Sequence, residues 1–277
     1  PTFNRVNVFT KYTYAMLKRY RMLHKIVLCI QTPEDELAYH TAFPDLKFIR
    51  TPKGLLETAN HIASTYPLGT RIVWMHDDVE EFIEFVQSTE RTKTTKSPVK
   101  DLDQLFKHVF QKLDDEQCHL AGFYCTTCPA HGTQHPGITT NLDFIHDPVT
   151  LMVNQGLQLT PRFWMKQDFE RSILYFRHSG KVLRFNWFSY KSEYNPKNTE
   201  GGIGHRDTKA ETKATDLFKE EYGEFIQSTK THKDGSTSFV LKSPGTPPYQ
   251  EPPPPPAYDT HDIKHALLEF ESSELLH

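Results

Sequence analysis

Four things are scarce or missing in this 277-residue chain, and each narrows what it can be. No uninterrupted apolar run reaches the length that spans a bilayer, and no secretory leader pattern is visible, so the sequence gives no membrane or export assignment. Lys and Arg number 32 against 35 Asp and Glu, so the excess positive charge that would let a whole surface grip nucleic acid is missing. Cysteine occurs only four times, which without an export signal suggests reduced thiols and a cytoplasmic or nuclear setting. What remains, 24% charged and 37% hydrophobic residues, is an ordinary globular composition on a chain long enough for one large domain.

The most informative stretch runs from Arg71 to Phe82. An apolar strand, Ile72-Val73-Trp74-Met75, leads through His76 to the adjacent carboxylates Asp77 and Asp78. Open α/β sheets bind ligands at the C-terminal edge of their strands, where this pair falls. Adjacent carboxylates repel unless a cation lies between them, and an oxygen-rich site suits Mg²⁺ or Mn²⁺, which can also bridge the phosphates of a diphosphate-bearing substrate. The alternative expectation is a helix over residues 79–87 capped by Asp78, with the acids at its positive end.

Around this stretch the pattern alternates. Residues 8–20 read as an amphipathic helix, 25–30 and 47–50 as strands, 54–60 as a loop entering a helix, and 119–125 as a further strand. That alternation predicts an α/β fold with a doubly wound, mostly parallel sheet flanked by helices. The expected domain covers residues 1–240. Beyond it the composition turns Pro-rich, so 241–260 reads as a linker and 261–277 as a C-terminal helix or tail. Pro255-Pro256-Ala257-Tyr258 fits the Pro-Pro-x-Tyr ligand of WW domains, a linker role being the alternative.

Two clusters allow more than one reading. Residues 91–100 carry Arg91, Lys93, Lys96 and Lys100 and no acid, which suits either a solvated loop or a DNA contact. Lys11, Lys18, Arg19, Arg21 and Lys25 read mostly as a solvent face. Cys125, Cys128, His131 and His135 offer four ligand types for a structural Zn²⁺ within eleven residues, although the two-residue gap between the pairs leaves little chain to wrap an ion. A redox pair and an unmetallated loop are the other possibilities.

Several segments, in order, resemble one enzyme class. Pro1-Thr2-Phe3-Asn4-Arg5 entering a helix looks like the nucleotide-binding opening of family 2-like glycosyltransferases. Gln167-Asp168-Phe169-Glu170 opening a helix, with Gly180-Lys181-Val182-Leu183-Arg184-Phe185 after it, resembles the acidic helix and following strand that carry the catalytic base in inverting members. The resemblance is to the GT-A glycosyltransferase superfamily and covers roughly residues 1–228. Trp74-Met75-His76-Asp77-Asp78, the Asp168 helix and Gly201-Gly202-Ile203-Gly204-His205-Arg206-Asp207 look closest to the TET-associated and base J groups, which glycosylate hydroxymethylated pyrimidines in DNA. Relatives commonly show three consecutive acids after the strand. Here His76 precedes the pair and Val79 follows it, so the direct metal ligand is open by one position.

The resemblance implies a metal-dependent, inverting transfer of a hexose from a nucleotide-sugar, UDP-glucose above all, to an acceptor hydroxyl. It implies donor contacts from Thr2, Asn4, Arg5, Lys53, Asn60 and Asp77, and a Mn²⁺ or Mg²⁺ on Asp77, Asp78 and His205. Asp168 would be the general base, with a helix-capping role as its alternative. It further implies an apolar strand ahead of Pro1. Two other classes stay open: a glycosyltransferase with a glycan, protein or lipid acceptor, and an inactive GT-A-like binding module.

Overall fold

The first helix, α1, is assembled from Val6–Phe9, a wider π turn over Thr10–Tyr14, and Ala15–Arg19. In this computed structural model the described residues are 2, 4–87, 94–163, 165–193, 208–232 and 235–244. After β1 (Val27–Ile30) comes α2 (Pro33–Ala42), whose start is set locally. The Thr32 hydroxyl accepts the Asp35 N–H at 3.1 Å, Pro33 fills the first turn, and Glu34, Asp35 and Glu36 favour its positive end. Then follow β2 (Lys47–Arg50), α3 (Leu55–Thr65), β3 (Arg71–Met75), β4 (Val79–Gln87) and β5 (Thr94–Pro98).

Next is α4 (Leu102–Asp115), capped by Asp101, which accepts the Gln104 N–H at 2.9 Å. Its buried residues Leu102, Leu105, Phe106, Val109, Phe110 and Leu113 recur at helical spacing and face the sheet. The chain continues through β6 (Leu120–Phe123), the short α5 (Pro129–Thr133), β7 (Ile138–Thr139), β8 (Val149–Val153) and α6 (Gln167–Ser179). Gly180, at φ 70°, ends α6 by returning its N–H to the Phe176 carbonyl at 2.7 Å, a left-handed closure that glycine accommodates without strain. The last elements are β9 (Leu183–Phe185), β10 (Phe188–Ser192), α7 (Thr208–Tyr222), β11 (Ile226–Thr231) and β12 (Thr237–Leu241).

The protein is mixed α/β, but the expected mostly parallel sheet is not what forms. The largest sheet has the order β3-β8-β6-β9-β7, and within it only β6 and β9 run parallel. β8 lies antiparallel between β3 and β6, and an apolar run carries no sign of its own direction, which is why the sequence pattern missed this. β1 and β2 form a separate parallel pair, and β4 pairs antiparallel with both β5 and β10. Among the described residues β3 is hydrogen-bonded on one side only.

Two expectations are overturned by β4 and β5. Residues 79–87 are a strand rather than a helix begun by Asp78, and 94–98 are the strand beside it rather than a loop. Val79 and Phe82 face a core also built by Met16, Leu17, Phe106, Phe123, Leu151 and Phe185. Phe82 is fully buried, with ring centroids 5.5 Å from Phe106 and 5.7 Å from Phe123. Phe82→Ala should cost about 3–5 kcal/mol of stability, because contacts on every side of the ring are lost and the strands cannot collapse inward. Chemical denaturation checks this, and a loss below about 1 kcal/mol would contradict the packing.

A second core gathers Phe9, Leu28, Ile30, Tyr39 and Phe43 around β1 and α2. One compact unit spans Pro1–Thr246. It passes the expected boundary at residue 240, since the Lys242 N–H bonds the Phe225 carbonyl at 2.9 Å and Ser243 Oγ accepts the Leu142 N–H at 3.3 Å. Of the linker expected over 241–260, Leu241 instead closes β12; residues 245–260, the WW-type motif at Pro255 to Tyr258 and the expected helix over 261–277 lie outside the described residues. No described helix is long and apolar enough to cross a membrane.

Candidate active site

Where β3 ends, the chain reverses through His76, Asp77 and Asp78 into β4, and α1 holds that turn. The Thr13 hydroxyl, from the π turn, donates to the His76 carbonyl at 2.8 Å and accepts the Val79 N–H at 2.9 Å. Asp77 is 4% exposed. Its Oδ2 accepts from the Thr2 hydroxyl at 2.8 Å and its Oδ1 lies 3.0 Å from Arg5 Nη1, while Arg5 Nη2 is 3.8 Å from Asp78 Oδ2. Thr2 also bonds the Tyr39 hydroxyl on α2. Asn4, at φ 50°, gives its N–H to Asp35 Oδ1 at 2.9 Å, in a left-handed conformation that Asn tolerates better than most residues.

Thr2, Asn4, Arg5, Asp77 and Asp78, expected from separate segments, therefore share one strand-end edge. The cation beside the two carboxylates is the Arg5 guanidinium, which already offsets part of their repulsion. The balance is incomplete. Burial pushes the Asp78 carboxyl up and Asp77 adds to this, with His76 and Arg5 pulling the other way. Asp78 Oδ1 makes no hydrogen bond, and neither do the buried Arg5 Nε, Asp35 Oδ2 and Asn60 Oδ1. Unsatisfied buried polar atoms cost free energy, and Asp78 Oδ1 and Arg5 Nε leave two of them within the Arg5–Asp78 pair at this strand-end surface.

That surface fits a divalent ion only in part. Asp78 Oδ1 is a hard oxygen with no other partner, and Mg²⁺ is commonly held by one or two carboxylates with the remaining positions filled by water and phosphate. Among the described residues no three His, Cys, Asp or Glu side chains converge on a metal position, and His205 lies outside them.

A second set of groups reaches the same edge because β3 and β8 are antiparallel. Met75 pairs with Val149, so the residues following β3 meet those preceding β8. Asp147 is buried there and accepts from Gln167 Nε2 at 2.7 Å and from Arg171, with His76 Nε2 at 3.3 Å. Burial opposes its ionisation, but Arg171 and His76 prevail and hold its carboxyl far below the usual range. Asp168, in the first turn of α6, is only partly buried by surface but largely desolvated by its neighbours. Burial, with the charge of Asp147, pushes it from 3.8 to about 7. Lys166 rather than Asp168 occupies the helix cap, so the expected capping role is replaced by a place inside the turn. Comparison with family models, with curated proteins and with solved structures finds no match.

Lys53 is exposed on the loop before α3, and Asn60 lies on α3 itself. Cys125, Cys128, His131 and His135 do not converge as a zinc site would require. Cys125 Sγ instead lies 3.1 Å from His146 Nδ1, and the His135 ring packs on Tyr124 with centroids 5.1 Å apart. Local sequence gave no sign of the roles of Thr13 or Arg171. The only usable signal was the His146-Asp147 pair just before an apolar strand, which becomes informative once that strand is known to run antiparallel beside β3.

Proposed function

We propose that this protein is an inverting GT-A glycosyltransferase that moves a hexose from a nucleotide-sugar, most simply UDP-glucose, to an acceptor hydroxyl, with 5-hydroxymethylpyrimidine in DNA as the acceptor. The carrying observation is the placement of Asp168 at the start of α6, where its neighbours Gln167 and Arg171 bind Asp147, which in turn reaches His76 in the turn bearing Asp77 and Asp78; there burial and the charge of Asp147 push the Asp168 carboxyl up to about 7. Near neutral pH such a group is partly ionised and still basic enough to take a proton, which is the compromise general-base catalysis requires. Asp168 removes the acceptor's hydroxyl proton as that oxygen attacks the anomeric carbon from the face opposite the diphosphate, so configuration inverts. Arg5 and Asn4 contact the nucleotide diphosphate, and Thr2 keeps the Asp77 carboxylate oriented. A divalent ion, where bound, would be held by Asp77 and Asp78 and would supply charge stabilisation to the departing diphosphate.

The deciding experiment incubates the protein with hydroxymethylpyrimidine DNA, a panel of UDP-sugars and either Mn²⁺ or a chelator, then reads nucleosides by mass spectrometry. A metal-dependent hexosylated nucleoside supports the full reading. Donor hydrolysis without transfer keeps the enzyme class and removes the DNA acceptor. Neither transfer nor hydrolysis with any donor would leave the binding-module reading in its place.

A further inference from the structure

Gln167 opens α6 one residue before Asp168, and its side chain, 5% exposed, is fixed from one end only. Nε2 donates to Asp147 Oδ2 at 2.7 Å. Asp147, held ionised by Arg171 and His76 despite its burial, can only accept hydrogen bonds. Turning the amide over would set its carbonyl against that carboxylate, so Nε2 stays on Asp147 and the other branch carries Oε1. That oxygen finds no donor among the described residues. It is a buried acceptor on a side chain that water scarcely reaches, and an orphan of this kind costs free energy that the N–H of a bound ligand would relieve.

The same carboxylate ties the orphan to the reacting end of the site. Asp147 bonds Gln167, and its charge acts on Asp168, so the amide and the proposed base flank one buried anion from successive positions of α6. A substrate group adjoining the hydroxyl at Asp168 therefore comes beside Gln167. On a 5-hydroxymethylpyrimidine the adjoining group is the substituent at C4, which is an amino donor in cytosine and a carbonyl acceptor in uracil.

We infer that Gln167 selects the base, its Oε1 accepting from the C4 amino group of 5-hydroxymethylcytosine and turning away 5-hydroxymethyluracil. The inference rests on the DNA reading of the acceptor above and narrows it to one base. Enzymes that act on a base extrude it into a pocket and read it by hydrogen bonds to this edge. The discrimination is asymmetric. Cytosine completes the unmade bond, whereas uracil sets a second acceptor against the first and leaves both desolvated without a donor, and sites that hydrogen-bond a substrate group reject an analogue lacking it far more strongly than apolar pockets do.

The test gives the full chain, with Mn²⁺ and the UDP-sugar panel used above, single-stranded DNA of one sequence carrying either 5-hydroxymethylcytosine or 5-hydroxymethyluracil. Nucleoside mass spectrometry then yields kcat/KM for each base. Transfer to cytosine should exceed transfer to uracil by about tenfold or more. Gln167→Met keeps the length of the side chain and removes both ends of the amide. Loss of the Asp147 bond should slow both bases together, but loss of Oε1 bears on cytosine alone, so the ratio should fall to within roughly twofold of unity. A residue that served the fold only would lower both rates and leave the ratio as it was. Circular dichroism shows whether the variant folds, and the parent's own ratio decides the matter if it does not. Equal transfer to the two bases, a preference for uracil, or an unchanged ratio in the folded variant would overturn the inference while leaving the glycosyltransferase reading in place. Transfer to neither base removes the DNA acceptor and this inference with it.

Discussion

Asp78→Asn should lower sugar transfer by roughly 10²- to 10³-fold while leaving the fold as stable as before or slightly more so. The two expectations separate because the carboxylate does little for folding: its Oδ1 has no partner, and burial and Asp77 together raise its pKa. A raised carboxyl favours the protonated native state, so its stabilising contribution is present below the unfolded value of 3.8 and is lost as pH rises through the folded value. Ionising the carboxyl in the folded protein therefore carries a cost. The amide keeps the shape, removes that cost and removes the charge proposed to hold a cation on the diphosphate. Steady-state rates with and without Mn²⁺, read beside thermal melts, test this. Transfer within tenfold of the parent would remove Asp78 from the site.

Asp168→Asn carries the second large effect, and its two arms point in opposite directions. Transfer should fall about 10²- to 10⁴-fold because an amide cannot accept the acceptor's proton. Stability above pH 7 should rise by roughly 1–2 kcal/mol, a figure reduced from the full shift because the group is partly exposed. The sign follows from the shift from 3.8 to about 7: the parent's stability declines between those two values as the carboxyl is forced to ionise, and the variant has nothing there to ionise. In the parent, kcat should climb through about pH 7 as the base becomes available. A variant that loses activity and is also less stable at pH 8 would indicate a structural carboxylate instead.

What could be read from the chain divides along a physical line. Strands and helices whose pattern is local came through: residues 71–75 as a strand, 167–179 as a helix, and the acids at the strand's end. The alternative of a helix over residues 79–87 rested on a cap at Asp78 and on acids placed for its positive end, signals that are local. These residues form a strand because β5 and β10 pair with both of its edges, and that tertiary pairing outweighs the local signals. The meeting of Thr2, Asn4 and Arg5 with Asp77 and Asp78 was legible because these residues lie within two short motifs. The Asp147, Arg171 and His76 network and the Cys125–His146 contact were not, since they exist only through the antiparallel insertion of β8, which brings together residues 21 to 95 positions apart.

The wide turn at Thr10–Tyr14 has a consequence for how the two halves of the protein communicate. An α-helix advances about 100° per residue, so Phe9 and Met16, seven apart, would share one stripe in a regular helix. The π turn advances more slowly and swings the later residues roughly a quarter turn around the axis. Phe9 thereby enters the core around β1 and α2, while Met16 and Leu17 enter the one around β4 and α4. The helix works as a phase shifter between two hydrophobic bodies, and Thr13, at the point of the twist, clips the acidic turn that lies at their seam. Excising a single residue from that turn would leave the two anchors six apart, about 240° around a regular helix and close to their present phase, so both cores would keep their contacts while the wide turn that carries Thr13 to the acidic turn would be lost.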